Sequence, residues 1–204
     1  MNKSIETIIF DLGGVLIDWN PRYMYRTIFK TEKETEWFLE NVTTPDWNEN
    51  QDAGYPIAKA TEELVAKHPE WEKEIHAYYG RWTEMLGGPI LETVDIFRKL
   101  KENTNLKLYA LTNWSAELFP IALQQYEFLH WFDGRVVSGE EKTRKPFPEI
   151  YQRLLNRYNV DASKTILIDD SLRNIKGAEG VGIKGIHFLS PKQLSVDLLE
   201  SEIL

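Results

Sequence analysis

The sequence has no cysteine among its 204 residues, so disulfides, thiol nucleophiles and zinc-thiolate centres are excluded. Histidine is nearly as scarce. His68, His76, His130 and His187 stand at no metal-ligand spacing and are read as structural. Long apolar runs are also missing, and the N-terminal MNKSIETIIFDLGG meets a carboxylate early. Neither a signal peptide nor a membrane span is therefore expected, and a cytoplasmic protein is the default expectation. Positive charge is in deficit: 24 Lys and Arg face 32 Asp and Glu, for a formal net charge of -8. That balance argues against a nucleic-acid partner, which would need a basic face. Small anionic substrates stay open, because a few local cations and one metal ion can dominate a pocket.

What is present is an ordinary globular composition, 42% hydrophobic and 12% aromatic, long enough for one core domain carrying a smaller insert. Five short runs have the β-branched and aromatic enrichment of buried strands: TIIFDL, LKLYALTN, GRVVSG, KTILIDD and KGIHFL. Helical patterns such as ETVDIFRKLKEN, PEIYQRLLNRYN and LRNIKGAEGVG alternate with the later runs. Strand and helix in alternation predict an α/β fold, a doubly wound parallel sheet with helices on both faces. Residues 17–88 read differently, with helix-like patterns, five tryptophans and no convincing strand, and they close on Gly87-Gly88-Pro89. The expected organisation is a Rossmann-like core of residues 1–16 and 89–204, with a helical cap of residues 17–88 inserted after the first strand.

Ligands of such sheets bind beyond the carboxyl ends of the strands, and three runs end there in polar residues. Asp11 follows IIF, Thr112 and Asn113 follow LYAL, and Asp169 and Asp170 follow ILI. Asp11 could cap a turn, but the two glycines after it also let the backbone bend sharply and approach a ligand. Asp169 and Asp170 could cap the following helix. Alternatively, because neighbours on an extended segment point opposite ways, one faces the Asp11 site and the other supports the loop. Oxygen donors without cysteine or spaced histidine favour Mg²⁺ over zinc. Lys145 on its own would be read as a solvated surface lysine, but Pro146 and Pro148 would rigidify the segment just before a helix and fix where it points. Thr112 could donate to a phosphate oxygen or bond nearby backbone. The tryptophans of residues 17–88 are more often core than substrate platform, but Trp19 and Trp47, near the segment boundaries, could line a pocket.

FDLGGVL, LTN, RKP and IDDSLRN occur in the motif order of the haloacid dehalogenase superfamily, which the chain resembles over nearly its whole length. The resemblance implies that Asp11 is a nucleophile forming an aspartyl-phosphate and that Thr112 and Lys145 hold the phosphoryl oxygens. It also implies Mg²⁺ held by Asp11, Asp170 and the backbone carbonyl of Gly13, with Asn174 or Asp169 in support. One departure stands out. Superfamily phosphatases commonly read D-x-D-G at the first motif, the second Asp serving as general acid and base, and here that position is Gly13.

The 2-haloacid dehalogenases also lack the second carboxylate and use no metal, but a carboxylate such as Asp170 beside the nucleophile would repel their carboxylate substrates. The reading that follows is a Mg²⁺-dependent phosphatase acting on a small phosphorylated metabolite, with a 2-haloacid dehalogenase or a catalytically weakened binding or regulatory protein as alternatives. RKPFPEIY and DDSLRNIKGA fit most closely the bacterial branch that includes an α-D-glucose-1-phosphate phosphatase. A sugar 1-phosphate, whose anomeric oxygen leaves readily, would need less help from a general acid.

Overall fold

The computed structural model describes residues 4–103 and 105–204. The described residues form seven strands: β1 (Thr7–Phe10), β2 (Ile17–Trp19), β3 (Leu86–Pro89), β4 (Lys107–Thr112), β5 (Gly134–Val137), β6 (Thr165–Asp169) and β7 (Lys184–His187). Five of them form one parallel sheet in the order β5-β4-β1-β6-β7. These are the five apolar runs of the sequence, and the α/β class follows from them.

All four residues of β1 are buried, because helices cover both faces of the strand at the centre of the sheet. The pleat sorts its side chains. Ile8 and Phe10 join one apolar cluster with Ile166 and Ile168, while Ile9 joins a second with Leu111, Leu167 and Ile175. β1 has β4 on one side and β6 on the other, so the chain winds away from it in both directions. The crevice at such a reversal is where an open α/β sheet binds ligands.

Between β2 and β3 the chain forms helices Pro21–Tyr25, Glu32–Asn41, Pro45–Asp52, Ile57–Lys67 and Glu72–Gly80. Tyr25, Phe38 and Tyr78 from this region belong to the same buried cluster as Phe10, so the insertion shares its core with one face of the sheet. The expectation of no strand here is corrected: β2 and β3 pair antiparallel, Ile17 opposite Pro89 and Asp18 opposite Gly88. Three residues opposite the glycine-rich LGGP are too short and too poor in side chains to show an alternating pattern. The helix Pro45–Asp52 is also absent from the sequence-based pattern. Its N-terminus is built by the Thr44 side chain, which accepts from Trp47 N–H, and by Pro45 in the first turn. Among the described residues no helix is long and apolar enough to cross a membrane.

Candidate active site

The register of the sheet builds the site. Phe10 pairs with Ile168, so the next residues, Asp11 and Asp169, stand at the carboxyl ends of adjacent strands. Two like charges there repel each other, and Lys145 resolves the conflict. Its ammonium lies 2.9 Å from Asp11 Oδ2 and 2.6 Å from Asp169 Oδ2, and it has no solvent exposure. Burial alone would lower the Lys145 pKa, but attraction to Asp11 and Asp169 and hydrogen bonds to both raise it. Lys145 is thus fixed as a cation at the floor of the site.

Asp11 is 7% exposed, and its Oδ1 accepts the backbone N–H of Leu12 at 2.7 Å. Burial, with Asp169 and Asp170 adding to it and Lys145 opposing, pushes the Asp11 carboxyl up to about 8. The Asp169–Asp170 pair, left open by the sequence, is divided in space. Asp169 is fully buried: it binds Lys145, accepts Ser171 N–H at 2.9 Å, and accepts the Asn174 amide at 3.0 and 3.2 Å. Asp170 turns to the crevice beside Gly14, and its carboxyl is raised by burial and by Asp169. A Cβ at position 14 would lie 2.2 Å from Asp170 Oδ2, and Gly14 has φ +74°, so glycine is required there on both counts. His187, read as structural, does buttress this loop, its Nε2 lying 2.9 Å from the Asp170 carbonyl oxygen.

Above these groups lies a cavity of about 330 Å³. Asp11, Gly13, Asn113, Asp170 and Arg173 line its core side, and Trp19, Trp82, Trp114 and Leu118 form an apolar wall. Pro45, Asn48, Glu49 and Asp52 reach in from the insertion.

The remaining sequence candidates separate here. Trp19 lines the cavity. Trp47 does not line this cavity: its ring packs edge-on against Tyr78 at 5.1 Å and lies tilted against Tyr79 at 5.4 Å. Trp47 borders a different cleft with Gln51, Tyr55 and Glu63. Thr112 is 1% exposed and lies beneath the wall that Asn113 and Trp114 build. Asn113 clamps the Lys145 backbone. Its amide donates to the Lys145 carbonyl at 3.0 Å, and its Oδ1 accepts Lys145 N–H at 2.8 Å.

Sequence reasoning missed Asn48, Glu49 and Asp52. Glu49 bridges Arg144 at 2.6 Å and also pairs with Arg173, tying the insertion to a core loop and to the helix Leu172–Glu179. Asp52 Oδ2 accepts the Asn48 amide at 2.9 Å, and Asn48 Oδ1 accepts the Tyr79 hydroxyl at 3.1 Å. The Thr44-Pro45 helix start was the available signal, since it sets one helix face carrying positions 48 and 52.

Oxygen ligands of Asp11, Asp169 and Asp170 lie within 4.8 Å of one another. Three carboxylates against one ammonium leave excess negative charge, the donors are all hard oxygens, and Gly14 leaves room for Asp170 to approach. Asn174 Oδ1, buried at the same place, has no hydrogen-bond partner in the structure. The residues present therefore suit a hard divalent cation such as Mg²⁺.

The site is thus a strand-end Asp held by a buried lysine at the floor of a half-open crevice of an α/β sheet. A family model described as haloacid dehalogenase-like hydrolase matches residues 5–182, and the chain belongs to that family. Its curated relatives include a sesquiterpene phosphatase of Aspergillus oryzae, 28% identical over 92% of this chain and 91% of the relative. Another is a phosphorylated carbohydrates phosphatase of Thermotoga maritima, 28% identical over 90% of this chain and 84% of the relative. Among solved structures, a family enzyme of Bacteroides thetaiotaomicron in complex with magnesium and inorganic phosphate superposes with a TM-score of 0.65. That match is 22% identical and covers 90% of this chain and 93% of the other. The chain is a hydrolase.

Proposed function

We propose that the protein is a Mg²⁺-dependent phosphomonoester hydrolase that forms an aspartyl-phosphate on Asp11, with residues 17–88 serving as a cap over the substrate. The observation that supports this most is the Asp11–Lys145–Asp169 cluster with Asp170 beside it at the cavity floor. The phosphatase names of two relatives agree with it.

In this mechanism an Asp11 carboxylate oxygen attacks phosphorus, the ester oxygen departs with a proton, and water then cleaves the acyl phosphate to regenerate Asp11 and release inorganic phosphate. Lys145, fixed by Asn113 and Asp169, offsets charge on the transferring phosphoryl group, and the Thr112 hydroxyl is assigned the second donor. Asp11, Asp170 and the Gly13 carbonyl would hold Mg²⁺, whose charge screens the two anions that must approach. Asp169 is committed to Lys145, Ser171 and Asn174 and acts as the support. Trp19 and Trp82 offer apolar faces and Asn48 a polar one, a mixture suited to a sugar phosphate as the small metabolite.

The test is a panel of phosphorylated metabolites, including sugar 1-phosphates and isoprenoid phosphates, assayed with and without Mg²⁺. Turnover lost with EDTA and in Asp11→Asn is the expected result. Activity untouched by both, or chloride release from 2-chloropropionate without phosphatase turnover, would overturn the reading.

A further inference from the structure

Position 13 is glycine, and a Cβ built there would meet nothing within 4 Å, so the site has space where a second carboxylate would stand and no carboxylate in it. Cleaving an unactivated ester still requires a proton for the departing oxygen. The titratable groups lining the cavity are Asp11, Glu49, Asp52, Asp170 and Arg173. Asp11 is assigned the attack on phosphorus and Asp170 the metal. Glu49 is held between Arg144 and Arg173, and Arg173 is a permanent cation. Among the described residues neither Asp52 nor Asp170 forms an ion pair, and with Asp170 assigned to the metal Asp52 is the acid left over.

We propose that Asp52, reaching in from the insertion, is the general acid and base of this site. Resting on the phosphatase reading, the step is balanced as follows. The protonated Asp52 carboxyl gives its proton to the ester oxygen as the P–O bond breaks and the Asp11–phosphorus bond forms. The resulting carboxylate then takes a proton from the water that attacks the aspartyl-phosphate, and the cycle returns Asp52 to its acid form.

The surroundings of Asp52 suit this task. Asp52 is half-buried and lines the cavity. Asn48 of its own helix donates to Oδ2, while Tyr79 from the helix Glu72–Gly80 orients Asn48. Ser138 donates to the Asp52 carbonyl at 2.5 Å, anchoring the backbone of the residue to the core. The charged and titratable groups that face it are Glu49 on the same helix, Arg144 before Lys145, and Tyr78 and Tyr79. Burial first, then Glu49, outweigh Arg144 and a Ser115 backbone hydrogen bond and push the Asp52 carboxyl up to about 7. A carboxyl that titrates near neutrality can both deliver and recover a proton.

Asp52→Asn keeps the shape and removes the proton, and leaving-group dependence separates catalysis from packing. With an alkyl phosphate, kcat/KM is expected to fall roughly 10²-fold, and the wild-type loss of kcat/KM as pH rises through about 7 should disappear. With p-nitrophenyl phosphate, whose leaving group needs no proton, kcat/KM should stay within a few-fold while kcat falls and a stoichiometric burst of nitrophenolate appears. Mg²⁺-dependent binding of inorganic phosphate by the variant confirms an intact site. Equal loss for both esters with the pH dependence retained, or no loss for either, would overturn the assignment while wild-type turnover kept the phosphatase reading standing. A wild-type enzyme inactive on every phosphate ester, or active after Asp11→Asn, would instead remove the reading beneath it.

Discussion

Replacing Lys145 by Met probes the charge balance on which the site depends. The ammonium is fully buried and bonded to two carboxylates at 2.9 and 2.6 Å, and Met keeps most of the unbranched stem without donating or carrying charge. Removing one partner of a buried ion pair costs about 3–5 kcal/mol, because the remaining charge is left without compensation. The loss should also depend on pH. Asp11 is pushed up to about 8 even with the ammonium beside it, and without the ammonium it must titrate higher. Above about pH 8 the folded variant then holds a proton that the folded wild type has released and that the unfolded chain does not bind. Where the native state binds more protons than the unfolded one, stability falls as pH rises, so the deficit of the variant widens from pH 8 upward. Urea unfolding of both proteins at pH 7 and pH 9 measures it, with Lys145→Met/Asp169→Asn recovering part of the loss. A deficit below about 1 kcal/mol, in the range of an exposed ion pair, or one that does not grow with pH, would refute the argument.

Asp52→Asn should stabilise the protein above neutral pH. A carboxyl raised from 3.8 to about 7 lowers stability as pH climbs through that window, by at most about 4 kcal/mol. The variant should therefore gain in unfolding midpoint at pH 8 and match the wild type near pH 4, a trade of activity against stability. Gly14→Ala forces a left-handed conformation on a side chain and drives Cβ into Asp170, so a loss of roughly 1–3 kcal/mol is expected in urea unfolding. The same variant should need a higher Mg²⁺ concentration for half-maximal turnover. Asn113→Ala frees the Lys145 backbone and leaves its N–H without its acceptor, at a cost of about 1–3 kcal/mol. Steady-state kinetics should show kcat falling further than KM rises.

The elements most readable in the sequence are those that obey a local rule. TIIF, KLYALT and TILID are apolar strands, and the residues at their ends are the polar ones that reach the crevice. Asp11, Lys145 and Asp170 were legible for that reason, and because the four motifs fall in one order. The division of labour between Asp169 and Asp170 was not, since it depends on which way the pleat turns the last residue of β6. Trp47 and Asp52 show the same limit on one short helix. Trp47 turns to Tyr78 and Tyr79 while Asn48 and Asp52 turn to the cavity, and only the packing of the insertion on the sheet sets that rotation. The β2–β3 ribbon was hidden because a strand of three residues facing two glycines carries no period. Asn113 was legible as a site residue, but its bond to a backbone 32 positions away belongs to the fold.

The claim that Asp11 attacks phosphorus is tested most directly by acid-quenching the enzyme within one turnover of a phosphate monoester and measuring the intact and peptide masses. The account predicts one added phosphoryl group on the peptide that contains Asp11, dependent on Mg²⁺, discharged by hydroxylamine and absent in Asp11→Asn. Turnover of the ester with no phosphoryl group captured on Asp11 at any quench time, or its capture on another residue, would contradict it.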